Sequence, residues 1–485
     1  MISCHTQKFF VQLLGVTSLI ASLQPHPQIP YRCHIVASLQ KNTAANDKQS
    51  IGFFFVTFAL CVALSLLCEI DINTKTNINM RKLLLLLAVA AASTAASAHQ
   101  FKVLNKGKII YYNIVSEGNL TAEVTFSGNS YDVVANEYAE SIVIPEKVTQ
   151  MGKTYSVIGI SKDAFRNCSR VRSVTIPESV KTIGEGAFKG CSGLQTIKLP
   201  NGINEINESV FEDCTTLLSV NLPDSLEKIA DKAFKGCSSL TALSLPATMN
   251  DFDIHSVDGC KDLTSIAVDT LCNMYSSEGG VFYNKNMTRL MRCPEGKASV
   301  SIPESVREIS TYAFFGCYKM TGINIPASIG YLGDFAFVNC TALTEISFPE
   351  SIKLIPEGAF KDCTALKKVS LSNATSVVRN NAFYGCTALA EVSFPAIVEI
   401  GEKAFYNCSA LKEITFPATL KTLNSECFGG CISLISIKAM GVAPAKCDGS
   451  VFDPRSTYKC ALSVPEGKVQ AYRAAAGWKG IYNIK

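Results

Sequence analysis

The chain of 485 residues is poor in the groups that make catalytic and metal centres. It has only five histidines, and two of them, His99 and His255, lie beyond residue 98. No His/Cys constellation with ligand spacing can be drawn from so few, which argues against a metal site. There is no G-x-S-x-G, no H-E-x-x-H and no Walker-type loop, so the common hydrolase, metalloprotease and nucleotide-binding signatures are missing. Charge of one sign is also missing: 45 basic against 41 acidic residues leave a net of +4. No basic run with interleaved aromatics occurs, which excludes the usual nucleic-acid footprint. Together these absences point away from an enzyme and from any cofactor. Hydrophobic residues, by contrast, make up 47% of the chain, enough for a large core.

Two apolar stretches lie in the first hundred residues. Met80-Arg81-Lys82 is a short positive start, Leu83 to Ala92 is an apolar core, and Ala96-Ser97-Ala98 is a small-residue cleavage site. That is a complete signal peptide over residues 80–98, with a mature chain beginning near His99. Upstream, residues 51–70 are long enough to span a bilayer. A membrane anchor there is one reading. The preferred one is that residues 1–79 are a non-native upstream extension, because a signal peptide has no role behind a membrane helix. The expected protein is therefore exported, at the cell surface or secreted, with the periplasm as another destination and a single-pass anchor at 51–70 as the less favoured alternative. A membrane is a partner only if that segment is genuine.

From Ile142 onward the sequence repeats. Ile176 to Cys191 reads IPESVKTIGEGAFKGC, Leu222 to Cys237 reads LPDSLEKIADKAFKGC, and Phe348 to Cys363 reads FPESIKLIPEGAFKDC. Eleven cysteines fall at 168, 191, 214, 237, 260, 317, 340, 363, 386, 408 and 431, spaced by 23 residues except for one step of 22 and one of 57. A fixed period of this kind marks a stacked array in which each unit buries its apolar side against its neighbours. The I-x-[LIF] stretch alternates and reads as a short strand, with Ile197 and Leu199 inward and Thr196 and Lys198 outward. The proline after it ends the strand. The A-F-x-x-C stretch reads as a compact turn or short helix on the opposite side, its Ala, Phe and Cys filling the interior.

The unit, LP…L..IG..AF..C, resembles the BspA-like, or Treponema pallidum-type, leucine-rich repeat. The resemblance covers about 300 residues and eleven copies of the Cys end. It implies a leucine-rich-repeat solenoid over 142–440, with a parallel β-sheet on the concave face and short helical turns on the convex face. It also implies a surface protein of Bacteroidetes type that binds other proteins or adheres to host matrix or bacterial surfaces. A structural or scaffold role in the cell envelope, without a host ligand, is the alternative. Residues 99–141, rich in Tyr, Val and Ile, read as a small β cap, and 441–485 as a C-terminal cap. In that second cap Pro465 to Ala476 form a short helix, and Val469, Tyr472 and Trp478 cover the last repeat. The 57-residue step holds an insertion at 278–297, read as an exposed hairpin.

The ladder cysteines read as buried free thiols, because neighbouring rungs ~4.8 Å apart are wider than a disulfide allows. Off the ladder, Cys447 with Cys460 and Cys272 with Cys293 are the pairs to test in an oxidising compartment. The concave face has thirteen expected strand positions, giving a surface of roughly 60 Å. Its outward columns are rich in Ser and Thr and nearly free of aromatics. They carry charge mainly at Glu345, Lys368, Glu391 and Glu413, which form the candidate ligand-binding patch for a protein or glycan. The insertion, with Phe282, Tyr283, Arg289 and Arg292, is the other candidate hot spot.

Overall fold

In the computed structural model the described residues are 99–128 and 137–485. The signal-peptide reading at 80–98, the apolar segment at 51–70 and the extension at 1–79 lie outside them. Among the described residues no helix is long and apolar enough to cross a membrane.

The chain forms a β-solenoid. Most repeats supply one strand to a parallel concave ladder and a shorter two-residue strand to a second, lateral ladder. Thr196–Lys198 pairs in parallel with Ser219–Asn221, for example, and Glu205–Ile206 pairs with Lys228–Ile229. Alternation along the concave strand decides which residues are buried: Ile197 and Leu199 are 3% and 1% exposed, while Thr196 and Lys198 face solvent. The A-F-x-x-C segments are tight turns rather than helix.

Those turns stack with regular bonding. The Phe165 amide donates to the Ala187 carbonyl at 2.7 Å, and Phe188 to Val210 at 2.9 Å. The phenylalanine rings pile up accordingly, with Phe165, Phe188, Phe211 and Phe234 separated by 5.0, 5.5 and 5.4 Å. Each turn also needs left-handed backbone before its cysteine. Asn167, Asp213, Asn339, Asp362 and Asn407 adopt φ of 58°, 60°, 61°, 59° and 61° there, and glycine stands in the other repeats. Glycine, Asn and Asp are the residues that tolerate this conformation. A second left-handed position, just before Ala-Phe, is occupied by Lys232, Tyr312, Phe335 and Lys403 at φ of 56°, 57°, 56° and 52°.

At the N-terminal end, Phe101–Asn105, Lys108–Ser116 and Thr121–Thr125 form an antiparallel meander. Thr121–Thr125 then pairs in parallel with Lys153–Ile160, which also pairs with Thr182–Ile183 of the lateral ladder. The sheet thus runs across residue 141 and is continuous with the first repeats. At the other end Ala461–Ser463 and Asn483–Ile484 extend the concave sheet by two further strands. The helix there is Val469–Ala474, and Tyr472 and Trp478 are each 1% exposed.

Three expectations are corrected. First, the concave sheet is not continuous: ladder bonding stops after Ser265–Val268 and resumes at Glu345–Ser347, residues 299–301 and 322–324 form no strand, and shorter breaks separate Ser219–Asn221 from Ala242–Leu245 and Glu391–Ser393 from Glu413–Phe416. Second, the insertion is not an exposed hairpin. Tyr275–Glu278, Val281–Asn284 and Arg289–Arg292 form three antiparallel strands, and the last pairs in parallel with Glu308–Ile309. Phe282, Tyr283 and Arg292 are all 0% exposed. The insertion lies in the stack, where burying two aromatic rings stabilises more than exposing them. Third, all sixteen described cysteines are free thiols. Cys272 and Cys293 are unbonded, as are Cys447 and Cys460.

Candidate concave-face binding site

A groove lies at the C-terminal third of the concave face. It encloses about 980 Å³, and Lys368, Glu391, Ser393, Lys412, Glu413 and Met440 are among its lining residues. Parallel register places its charges. Glu345 is opposite Lys368, and Lys368 is opposite Glu391. The same register puts Ser347, Ser370 and Ser393 in a second column. Beneath them Ile346, Val369 and Ile414 are buried, which fixes the strand faces and so aims the polar column outward.

Three of the four residues expected to form the patch, Lys368, Glu391 and Glu413, line this one groove; Glu345 sits one rung before it. The Lys368 ammonium lies 3.4 Å from the Glu391 carboxylate, with both side chains more than half exposed. An exposed pair of this kind adds little stability. Among the described residues Glu345, Lys412 and Glu413 make no ion pair, so their charges are free to meet a partner.

Sequence reading missed Lys412, Met440 and the rim prolines Pro395 and Pro417, all of which line the groove. The prolines were visible as strand terminators, but only the stacked geometry turns them into a wall. Of Phe282, Tyr283, Arg289 and Arg292, Arg289 alone stays half exposed, and its guanidinium is engaged by Glu308 at 2.9 Å. A smaller lateral groove of about 140 Å³ involves Tyr331, Asp334, Lys353 and Arg379.

Nothing in the concave groove resembles a nucleophile with a base. Burial pushes the ladder thiols Cys191, Cys214, Cys237 and Cys408 well up, which keeps them as neutral thiols. Among the described residues no group of three or more His, Cys, Asp or Glu side chains is placed to hold a metal ion. The arrangement offers hydroxyls, a few charges and a low rim along an open channel, which suits binding an elongated ligand through many modest contacts.

The family described as BspA type leucine rich repeat region matches residues 158–288, 293–400 and 376–453, in six copies. Among solved structures, a leucine-rich repeat protein from Bacteroides ovatus is 25% identical, with a TM-score of 0.54, covering 80% of this chain and 99% of its own. The pneumococcal vaccine antigen PcpA is 18% identical, with a TM-score of 0.52, covering 80% of this chain and 98% of its own. At that identity the second likeness shows the fold alone. No curated protein sequence matches.

Proposed function

Because the chain belongs to the BspA-type leucine-rich repeat family, we propose that it is a non-catalytic binding protein that holds an elongated partner along its concave face. The observation that carries this reading is the groove of about 980 Å³ lined by Lys368, Glu391 and Glu413, the first two in direct parallel register. Lys368, Glu391 and Glu413, with Glu345 at the upstream end, set the charge preference. The hydroxyl column of Ser347, Ser370, Ser393 and Thr415 supplies repeated hydrogen-bonding groups at the strand spacing of ~4.8 Å. An extended polypeptide or a glycan chain suits such a site, because both present polar groups at regular intervals. Tight protein interfaces use aromatic and Arg anchors, and the outward columns here offer neither, so affinity comes from length and repetition.

The protein acts outside the cytoplasm. Residues 80–98 carry the signal-peptide pattern that supports this, and partners are then surface proteins or glycans of a host or of neighbouring bacteria. The test is binding of the exported protein to immobilised matrix proteins, glycan arrays and whole bacterial cells, beside the variant Ser393→Trp, which fills the groove. The expected result is a partner whose affinity falls by about tenfold or more in the variant. No binding to any of these surfaces at micromolar concentration favours the envelope-scaffold role instead.

A further inference from the structure

The regular stack is broken by the insertion, and three features meet there. The apolar core divides: Phe282 packs in the N-terminal cluster, while its neighbour Tyr283 packs in the C-terminal one. The concave ladder is open over 299–301 and 322–324. On the convex side, a buried carboxylate takes the place of one backbone acceptor between turns, while the Cys293 amide still donates to the Ala313 carbonyl at 2.7 Å. In regular repeats the glycine before the cysteine donates its amide to a backbone carbonyl of the next turn, as Gly190 does to Glu212 at 2.7 Å and Gly236 to Asp258 at 2.8 Å. At Gly259 the acceptor is instead the Glu295 carboxylate, at 2.8 Å.

Arg292, 0% exposed, completes the join. It donates to the Tyr312 carbonyl at 2.9 Å, and its Nη2 lies 2.8 Å from Asp258 and 3.1 Å from Glu295. Two carboxylates therefore share one nitrogen of one guanidinium. With both ionised, the buried group holds an uncompensated negative charge, which is costly away from water. One proton makes it neutral. Asp258 has a second partner, His255 at 3.0 Å, and its side chain is 18% exposed, against 5% for Glu295. The proton accordingly belongs on Glu295.

We propose that this junction is a proton-locked hinge, closed with a proton on Glu295 and loosened when that proton leaves. Asp258, the Gly259 amide and Cys260 surround the carboxyl group from the first half, Arg292 from the insertion, and Gly316 and Cys317 from the second half, while His255 reaches it only through Asp258. Burial raises the Glu295 carboxyl from 4.5 to about 7, against the opposing pull of Arg292. Opening returns Glu295 to water, so the closed form binds the proton more tightly. Its advantage is complete below about 4.5 and is lost as pH rises through about 7. The two halves, with the concave groove in the second, would then flex about the insertion in neutral to alkaline surroundings and lock in acid ones.

Hydrogen exchange of the full chain, corrected for intrinsic exchange rates, tests this between about pH 5.5 and 8.5. Opening at the Gly259, Cys293 and Gly296 amides should rise about tenfold for each pH unit from 5.5 up to about 7, where each opening releases one proton, and level off above about 7. Glu295→Gln should remove that slope, His255→Asn should keep it, and the Phe188 turn should show none. A flat wild-type profile, a slope that persists in Glu295→Gln, or a slope lost in His255→Asn overturns the proposal. Should Glu295→Gln not fold, carboxyl 13C NMR of the wild-type chain decides: a Glu295 midpoint near 7 supports the hinge, and one below about 5 contradicts it.

Discussion

The rings of Phe188 and Phe211 stack 5.5 Å apart with planes within 6° of parallel. The Phe188 carbonyl accepts both the Cys191 amide of its own turn, at 3.0 Å, and the Cys214 thiol of the next, at 3.1 Å. One residue thus ties two repeats through its ring and again through its backbone. Phe188→Ala should cost about 3–5 kcal/mol, since it leaves a cavity under two neighbouring rings. Chemical denaturation measures the loss. A change below about 1 kcal/mol would mean that the stack repacks freely.

The left-handed slot before each cysteine makes a different prediction. Asn339 holds φ of 61° there. Asn339→Ala should destabilise by about 1 kcal/mol, whereas Asn339→Gly should not, because glycine adopts this backbone without steric cost. Denaturation midpoints of the two variants provide the comparison, and equal losses would point to a side-chain contact in place of backbone strain.

The thiols should be inert. Fifteen of the sixteen described cysteines are buried, and Cys447 is only partly so. Burial pushes the Cys447 thiol up to about 12, so only about one molecule in ten thousand carries its thiolate at pH 8. Iodoacetamide with mass spectrometry should label the native described region slowly and at Cys447 first. All sixteen should react after denaturation. Fast native labelling at a ladder position would contradict the packing described here.

Acid should act first on the C-terminal cap. Asp453 caps the short helix Pro454–Thr457 and accepts from the Gly430 amide at 3.1 Å. Hydrogen bonds from the Arg455 guanidinium, together with the cap amides, hold its carboxyl down from 3.8 to about 2. A lowered carboxyl contributes stability above about 3.8 and loses it as pH falls toward 2. Trp478, buried beside Phe452 at 5.7 Å, reports on this cap. Its fluorescence should change over that window, and Asp453→Asn should show the weakened cap already at neutral pH.

The repeat unit was legible in the sequence because its period is strict and each position has one job. Inward Ile and Leu, the strand-ending proline and the Ala, Phe and Cys of the turn follow from alternation and steric rules. Local rules could not show the left-handed slot filled by Lys232, Tyr312 and Phe335, since these residues carry no signature for it. The thiols were expected only as packing, and their donation to phenylalanine carbonyls of the preceding turn emerges from the stacking alone. At the insertion the local pattern misled. Val281 to Tyr283 and Arg289 to Met291 flank Asn284-Lys285-Asn286 like a surface hairpin, yet long-range packing buries Phe282, Tyr283 and Arg292. Of the concave patch, the charged column was readable from register, whereas Lys412, Met440 and the proline rim needed the third dimension.

The central claim is that the concave groove is where a partner lies. Hydroxyl-radical footprinting of the protein, free and saturated with a partner recovered from the matrix, glycan or cell-surface panel, tests it directly. The account predicts protection at Pro395, Pro417 and Met440, side chains along the groove, with the convex-turn tyrosines Tyr384 and Tyr406 unchanged. Protection of Tyr384 and Tyr406 with the groove unchanged would contradict it.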